Sequence, residues 1–100
     1  MRRAARVDRN QTEVVEALRQ AGCRVQPLHM VGKGCPDILV GRGGRLVLME
    51  IKDGEKPPSA RKLTEDEAAW HDLWADAAQA GALVTVSTVS EALAAMDEVR

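Results

Sequence analysis

Two carboxylates and an amine fall where a single β-hairpin would bring them together: Asp37, which follows Pro36, and Glu50 and Lys52 on either side of Ile51. The apolar runs Ile38-Leu39-Val40 and Leu46-Val47-Leu48-Met49 are separated by Gly41-Arg42-Gly43-Gly44. A Gly-Gly pair supplies the positive φ values that a two-residue primed turn needs. With Gly43 and Gly44 as the central turn residues, Arg42 faces Arg45 and, counting back, Asp37 faces Glu50 with β-carbons roughly 5 Å apart. Lys52 shares that face by the period of two, while Ile51 points to the opposite, apolar face. Carboxylates about 5 Å apart repel by roughly 3 kcal/mol at an effective dielectric of about 20, a large fraction of a small domain's stability. Lys52 offsets part of this. A bound divalent cation would offset more, and hard oxygen ligands suit Mg²⁺ or Mn²⁺. A one-residue slip in register, or a longer loop, would instead separate the acids and leave an ordinary salt bridge.

The chain has 100 residues, 45% of them apolar, which predicts one domain over residues 1–100 with a real core and no room for a second. Its longest apolar run is far short of a membrane span, and Met1-Arg2-Arg3-Ala4-Ala5-Arg6 lacks the hydrophobic region of a signal peptide. A soluble, cytoplasmic protein is therefore expected. Cys23 and Cys35 are too few and wrongly spaced for structural zinc and are expected to be small buried or half-buried side chains.

The net charge of −1 conceals an asymmetry: residues 1–62 hold 13 Lys/Arg against 7 Asp/Glu, and residues 63–100 hold one Arg against 8 acids. Either the first part builds a surface that meets a polyanion, or the two parts interleave in the fold and their charges pair. There is no Phe or Tyr, and Trp70 and Trp74 fall on an apparent core stripe. No platform for stacking single-stranded bases is evident, so duplex or junction backbone is the better candidate.

These residues need elements to position them. Asp8 or Asn10 can cap a helix that runs to about Ala21, with Val14, Val15, Leu18 and Ala21 inward and Gly22 as its stop. Arg24 to Met30 alternates as a strand, and a flexible Val31-to-Cys35 connection leads to the hairpin. A basic loop spans Asp53 to Lys62. Thr64 and Glu67 then form a capping-box pattern before a second helix with the stripe Leu63, Trp70, Trp74, Ala77 and Ala78, closed by Gly81. Ala82 to Val89 is rich in β-formers, and Ser90 can cap a short terminal helix with Leu93, Met96 and Val99 inward. Because both faces of the hairpin are apolar apart from its charged end, its strands are expected to be central and covered on both sides.

The order α-β-β-β-α-β with a short C-terminal helix, Gly34-Cys35-Pro36-Asp37-Ile38-Leu39-Val40, Leu48-Met49-Glu50-Ile51-Lys52 and Leu63-Thr64-Glu65-Asp66-Glu67-Ala68-Ala69-Trp70 together resemble the PD-(D/E)XK nuclease superfamily. Within it, the chain is similar to the small stand-alone VRR-NUC nucleases of phages and bacteria. The resemblance implies a restriction-endonuclease-like α/β core, a central mixed sheet flanked by helices. It implies Asp37, Glu50 and the Ile51 carbonyl as metal ligands, Lys52 as the group that orients or activates water, and an acid drawn from the first helix. Glu13 is the nearest acid there, although Gln11 points more directly at the sheet. Glu67 stands where the family usually has Gln; it can face Lys52 or simply complete the capping box. His71 needs no function on its helix, and His29 ends the first strand near the Gly32-Lys33-Gly34 loop.

The expectation is a Mg²⁺- or Mn²⁺-dependent endodeoxyribonuclease selective for branched DNA, four-way (Holliday) junctions or flaps. It would work as a homodimer in a bacterial or phage-infected cell, with helix three as the candidate contact. Lys33, Arg42, Arg45, Lys56, Arg61 and Lys62 are the candidate phosphate contacts. The alternative is a catalytically silent nucleic-acid-binding accessory module of phage DNA processing.

Overall fold

In a computed structural model that describes residues 9–97, the Gly43–Gly44 turn forms as its composition requires. Both glycines have positive φ, 60° and 84°, a region costly to residues that carry a β-carbon. The turn joins β2 (Ile38–Arg42) to β3 (Arg45–Ile51), with Arg42 opposite Arg45 and Ile38 opposite Met49. The expected register therefore holds along the whole of β2.

Upstream lie α1 (Arg9–Gln20) and β1 (Arg24–Pro27); downstream come a 3-10 turn at Pro58–Arg61, α2 (Glu65–Leu73), α3 (Ala75–Gln79), β4 (Leu83–Val86) and α4 (Val89–Asp97). The fold is α/β, with an open mixed sheet in the order β1-β2-β3-β4. Its first three strands are antiparallel and β4 runs parallel to β3. A parallel pair needs a long crossover, which α2 and α3 supply. Among the described residues no helix is long and apolar enough to cross a membrane.

Strand alternation decides what each face carries. Ile38, Val40, Val47, Met49 and Ile51 point to one face, where Val14 and Leu18 of α1 and Ala92 and Met96 of α4 bury them. α1 ends in a paired cap: the Cys23 N–H bonds the Leu18 carbonyl and the Gly22 N–H the Arg19 carbonyl, both at 3.0 Å, with Leu18 and Cys23 meeting in the core. The opposite face carries Leu39, Leu46 and Leu48 and is only partly covered. Leu46 is 62% exposed, so the hairpin is central but not sandwiched as its composition predicts.

Other elements differ from those the sequence predicts. β1 stops at Pro27 instead of Met30, because after Leu28 N–H reaches the Asp37 carbonyl (2.7 Å) the chain turns, Val31 N–H bonding the Leu28 carbonyl at 2.9 Å. His29 and Met30 lie in that turn. The second helix is broken at Trp74, whose N–H is shared between the Trp70 and His71 carbonyls, both at 3.2 Å. Neither α2 nor α3 has a buried residue, so Trp70 and Trp74 form no core stripe. α4 is capped by Thr88, not Ser90: the Glu91 N–H bonds Thr88 Oγ1 (3.0 Å) and Glu91 Oε1 accepts the Ser87 N–H (2.6 Å). Met96 is buried and Leu93 packs against the same core. The candidate interface stripe therefore caps its own sheet; Val99, Asp8 and the basic N-terminal residues lie outside the described residues.

This division of the molecule predicts unequal costs for two leucine truncations. Leu18→Ala, at a fully buried position, should cost about 2–5 kcal/mol in urea denaturation. Leu73→Ala, at a residue 81% exposed, should stay within about 0.5 kcal/mol. Comparable losses in the two variants would mean that α2 is docked through Leu73 after all.

Candidate active site

β3 delivers Glu50, Ile51 and Lys52 in an order that separates their tasks. The Lys52 N–H bonds the Val86 carbonyl at 2.8 Å. Glu50 and Lys52 therefore aim their backbone at β4, and Ile51 aims its N–H and carbonyl toward β2. Ile51's side chain is in the core, and Glu50 and Lys52 lie on the other face.

Asp37 lies one residue before β2, where Pro36 has no N–H to extend the ladder. Its own N–H bonds the Met49 carbonyl (3.0 Å), and its Oδ2 accepts the Ile51 N–H (2.7 Å). Asp37 thus leaves the ladder instead of standing squarely opposite Glu50, yet the two carboxyl groups still meet closely enough to alter each other's ionisation.

Glu50 is the most confined group of the site. It is 2% exposed, and its Oε1 is buried and meets no donor among the described residues, while its proton can be shared with the Asp37 and Glu67 carboxylates. Burial first, then the charges of Asp37 and Glu67, push its carboxyl up to about 9. Burial also raises Asp37, against the lowering effect of the Ile51 N–H. Oxygen-only, buried and under-satisfied, this pair is suited to hold either a shared proton or a cation.

Lys52 Nζ sits 2.7 Å from Glu67 Oε1 and 3.8 Å from Glu50 Oε2. Burial alone would lower its ammonium, but the hydrogen bond and charge of Glu67 outweigh this and raise it. Glu67 moves the other way: burial would raise it, while Lys52 and the Thr64 N–H hold it below the ordinary carboxylate range. The two sequence-based options for Glu67 both occur. Its Oε1 closes the capping box by accepting the Thr64 N–H (2.9 Å), while Thr64 Oγ1 accepts the Glu67 N–H (3.2 Å), and the same oxygen holds Lys52.

On α1, Gln11 is buried at 6% exposure on the stripe of Val14 and Leu18. Glu13 is exposed and lines a separate cavity of about 340 Å³ with Asn10, Asp53 and Glu55. Asn10, expected as a helix cap, lies inside α1 with a different role, and Cys35 is not expected near the site. Asn10 Nδ2 donates to the Lys52 carbonyl at 2.7 Å and the Ser87 carbonyl at 3.4 Å, tying α1 to the ends of β3 and β4. Cys35 lies near enough that burial, then Glu50 and Asp37, push its thiol up. No spacing rule signals either one. His71 Nδ1 is engaged with the Glu67 carbonyl at 2.9 Å.

The candidate phosphate contacts divide. Arg42 and Arg45 sit at the hairpin turn, away from the carboxylates, and brace the fold. Arg42 pairs with Asp97 and donates to the Ala21 carbonyl (3.2 Å), and Arg45 donates to the Ala95 (3.1 Å) and Gly81 (3.3 Å) carbonyls. Lys33, Lys56 and Lys62 are exposed, and Arg61 is half-buried.

A divalent ion fits the donor set in part. Glu50 Oε1 meets no donor among the described residues, the acids are hard oxygen ligands, and the Ile51 carbonyl is aimed to the Asp37 side. Among the described residues, no three His, Cys, Asp or Glu side chains form a metal-holding group. The protein therefore offers two carboxylates, the number with which Mg²⁺ is commonly held while water and phosphate fill its other positions.

Compared with known proteins, the chain matches no family model, no curated protein and no solved structure. The chemistry of the site rests on its own residues and geometry.

Between the ordinary carboxyl range and about 9, the folded protein keeps a proton on Glu50 that the unfolded chain has lost. Stability of the metal-free protein must then fall as pH rises through that window. Melting in EDTA should show a decline from pH 6 to pH 9. Glu50→Gln should flatten it and melt at least about 5 °C higher at pH 8, equivalent to roughly 1 kcal/mol in a domain of this size. A lower melting point for Glu50→Gln at pH 8 would exclude the buried acid as the source of strain.

Proposed function

We propose that the protein is a Mg²⁺- or Mn²⁺-dependent endonuclease of the PD-(D/E)XK type that hydrolyses DNA phosphodiester bonds by direct attack of water. The observation that carries this is Glu50: a buried carboxylate with an oxygen that meets no donor among the described residues, beside a second carboxylate and a lysine, at the end of a central hairpin. A carboxyl group in this position destabilises the metal-free fold at neutral pH, and binding a cation relieves that cost. The order of elements supports the same reading.

Asp37 and Glu50 would hold the ion, which would supply Lewis-acid polarisation of the phosphate and a lowered pKa for water. The Ile51 N–H keeps the Asp37 carboxylate oriented, and its carbonyl is placed to contribute a further oxygen. Lys52 stays a cation and donates to the attacking water or to a non-bridging phosphate oxygen, where negative charge grows during the reaction. Glu67 positions the Lys52 ammonium without touching the substrate. Of the two helix-one candidates, Gln11 is buried on the α1 face that meets the core, and Glu13 lines a different cavity.

Selectivity for branched DNA follows from the likeness to VRR-NUC nucleases. Paired incision of a four-way junction needs two sites, hence a twofold homodimer. With Met96 and Ala92 committed to the core, that contact would lie away from the inner face of α4.

Labelled duplex, single-stranded, flap and four-way-junction DNAs incubated with the purified protein and Mg²⁺ or Mn²⁺ test the proposal. Cleavage is expected, and Asp37→Asn, Glu50→Gln and Lys52→Ala should each lose at least about 100-fold with circular dichroism unchanged. Gln11→Ala should slow the reaction more than Glu13→Gln. Salt-sensitive DNA binding with no cleavage under either metal would instead identify the silent binding module.

A further inference from the structure

The chain's aromatic residues are two tryptophans, and they are not in its core. Trp70 and Trp74 lie four positions apart in a region without a buried residue. Their rings are stacked, with centroids 5.0 Å apart and planes at 14°. Trp74 remains 47% exposed and the adjacent Leu73 81%. Large aromatic side chains ordinarily supply much of the apolar burial of a small domain; here Trp70 is half-buried outside the core and Trp74 is presented to solvent.

Beside the pair is a cavity of about 440 Å³ lined by Lys33, Asp66, Ala69, Trp70 and Leu73, within the size range of small-ligand clefts, about 300–1,000 Å³. Its walls combine three chemistries: an apolar and aromatic side, a cation and a carboxylate. An unpaired nucleotide uses the first two, a surface for its ring and a positive charge for its phosphate, and the carboxylate can accept from a base N–H.

The wall opposite α2 is a tight turn packed against that helix. Gly32, Lys33 and Gly34 all have positive φ, 78°, 56° and 83°, and Lys33 is the one non-glycine residue among those described to do so. A β-carbon on Gly34 would lie 2.2 Å from the Asp66 carbonyl oxygen, so the loop is pressed directly onto the first turn of α2. The same two elements carry parts of the candidate active site. The loop runs straight into Cys35, Pro36 and Asp37, and α2 supplies Glu67, which holds Lys52.

We infer that Trp70, Trp74 and the Lys33-lined cavity form a stacking site for an unpaired base of single-stranded DNA, next to the carboxylate site. This takes its ligand class from the nuclease proposal and narrows the substrate to DNA with a single-stranded segment at the point of entry. It also replaces the expectation that the chain lacks a stacking platform, which depended on both tryptophans being buried. A second copy of the chain is the competing occupant of the exposed apolar surface.

Because both tryptophans are in the pair, intrinsic fluorescence reports this site alone. The full chain is titrated in EDTA with a short oligothymidylate and with an abasic oligonucleotide of equal length and charge, with light scattering recorded alongside. The oligothymidylate should quench the emission and bind roughly tenfold or more tightly than the abasic strand, as one stacked base implies. That preference should vanish in Trp74→Ala and survive in part in Trp74→Phe, which keeps a ring. Lys33→Ala should weaken both strands and flatten the salt dependence of binding. Equal affinity for the two strands, unchanged emission, or emission that tracks protein concentration together with a doubled mass would overturn the inference. The measurement uses no metal. Cleavage activity without base preference therefore defeats the stacking site alone, and base preference without cleavage leaves the stacking site standing and defeats the nuclease proposal.

Discussion

A carboxylate has been taken out of water beside another carboxylate, and much of the molecule is organised around that placement. Glu50 is nearly inaccessible and carries an oxygen that meets no donor among the described residues, a situation that ordinary packing does not tolerate without cost. Its neighbours distribute that cost. Asp37 gains the Ile51 N–H, Lys52 approaches from the open side, and Glu67 keeps Lys52 charged. In the metal-free protein the acid pair compensates by keeping a proton on Glu50 well above the ordinary carboxyl range.

The attachment of α2 follows from the same need. The contacts that fix this helix are polar and lie in its first turn: Glu67 to Lys52, the Thr64–Glu67 box, and the close approach of Gly34 to Asp66. A helix held in this way need not spend its apolar side chains on the sheet. Trp70, Leu73 and Trp74 are thereby left beside the loop that leads to Asp37, and one ion pair links the chemistry of the carboxylates to an aromatic surface at their side.

The uneven charge along the chain is partly resolved within the fold. Arg42 pairs with Asp97 and Lys52 with Glu67, and each pair joins the basic first part of the chain to its acidic second part. Arg45 adds carbonyl contacts to Ala95 and Gly81. These arginines clamp the hairpin turn to α4 and to the turn before β4. Among the described residues, the exposed cations Lys33, Lys56 and Lys62 come from the loops that flank the carboxylate end, and Arg19 and Arg24 are exposed on α1 and β1.

Where a rule acts over a few residues, the sequence by itself determined the outcome. The Gly43–Gly44 turn and the alternation around it set the hairpin register, and with it the shared face of Glu50 and Lys52. Thr64 and Glu67 specified their capping box, and Gly22 the end of α1. Only the tertiary structure decided which apolar stripes would be covered, since that depends on elements arriving from elsewhere in the chain. Trp70 and Trp74 have the spacing of a buried face, yet neither α2 nor α3 has a buried residue. Met96 and Ala92 have a similar pattern and do meet the core. Helical spacing alone already turned Gln11, not Glu13, toward the sheet, whereas the tertiary structure decided which cations are occupied. Asp37's departure from the ladder belongs to the same class, because the Ile51 N–H that captures its carboxylate is fourteen residues away. Local periodicity states which side chains share a face; what that face touches is a property of the assembled fold.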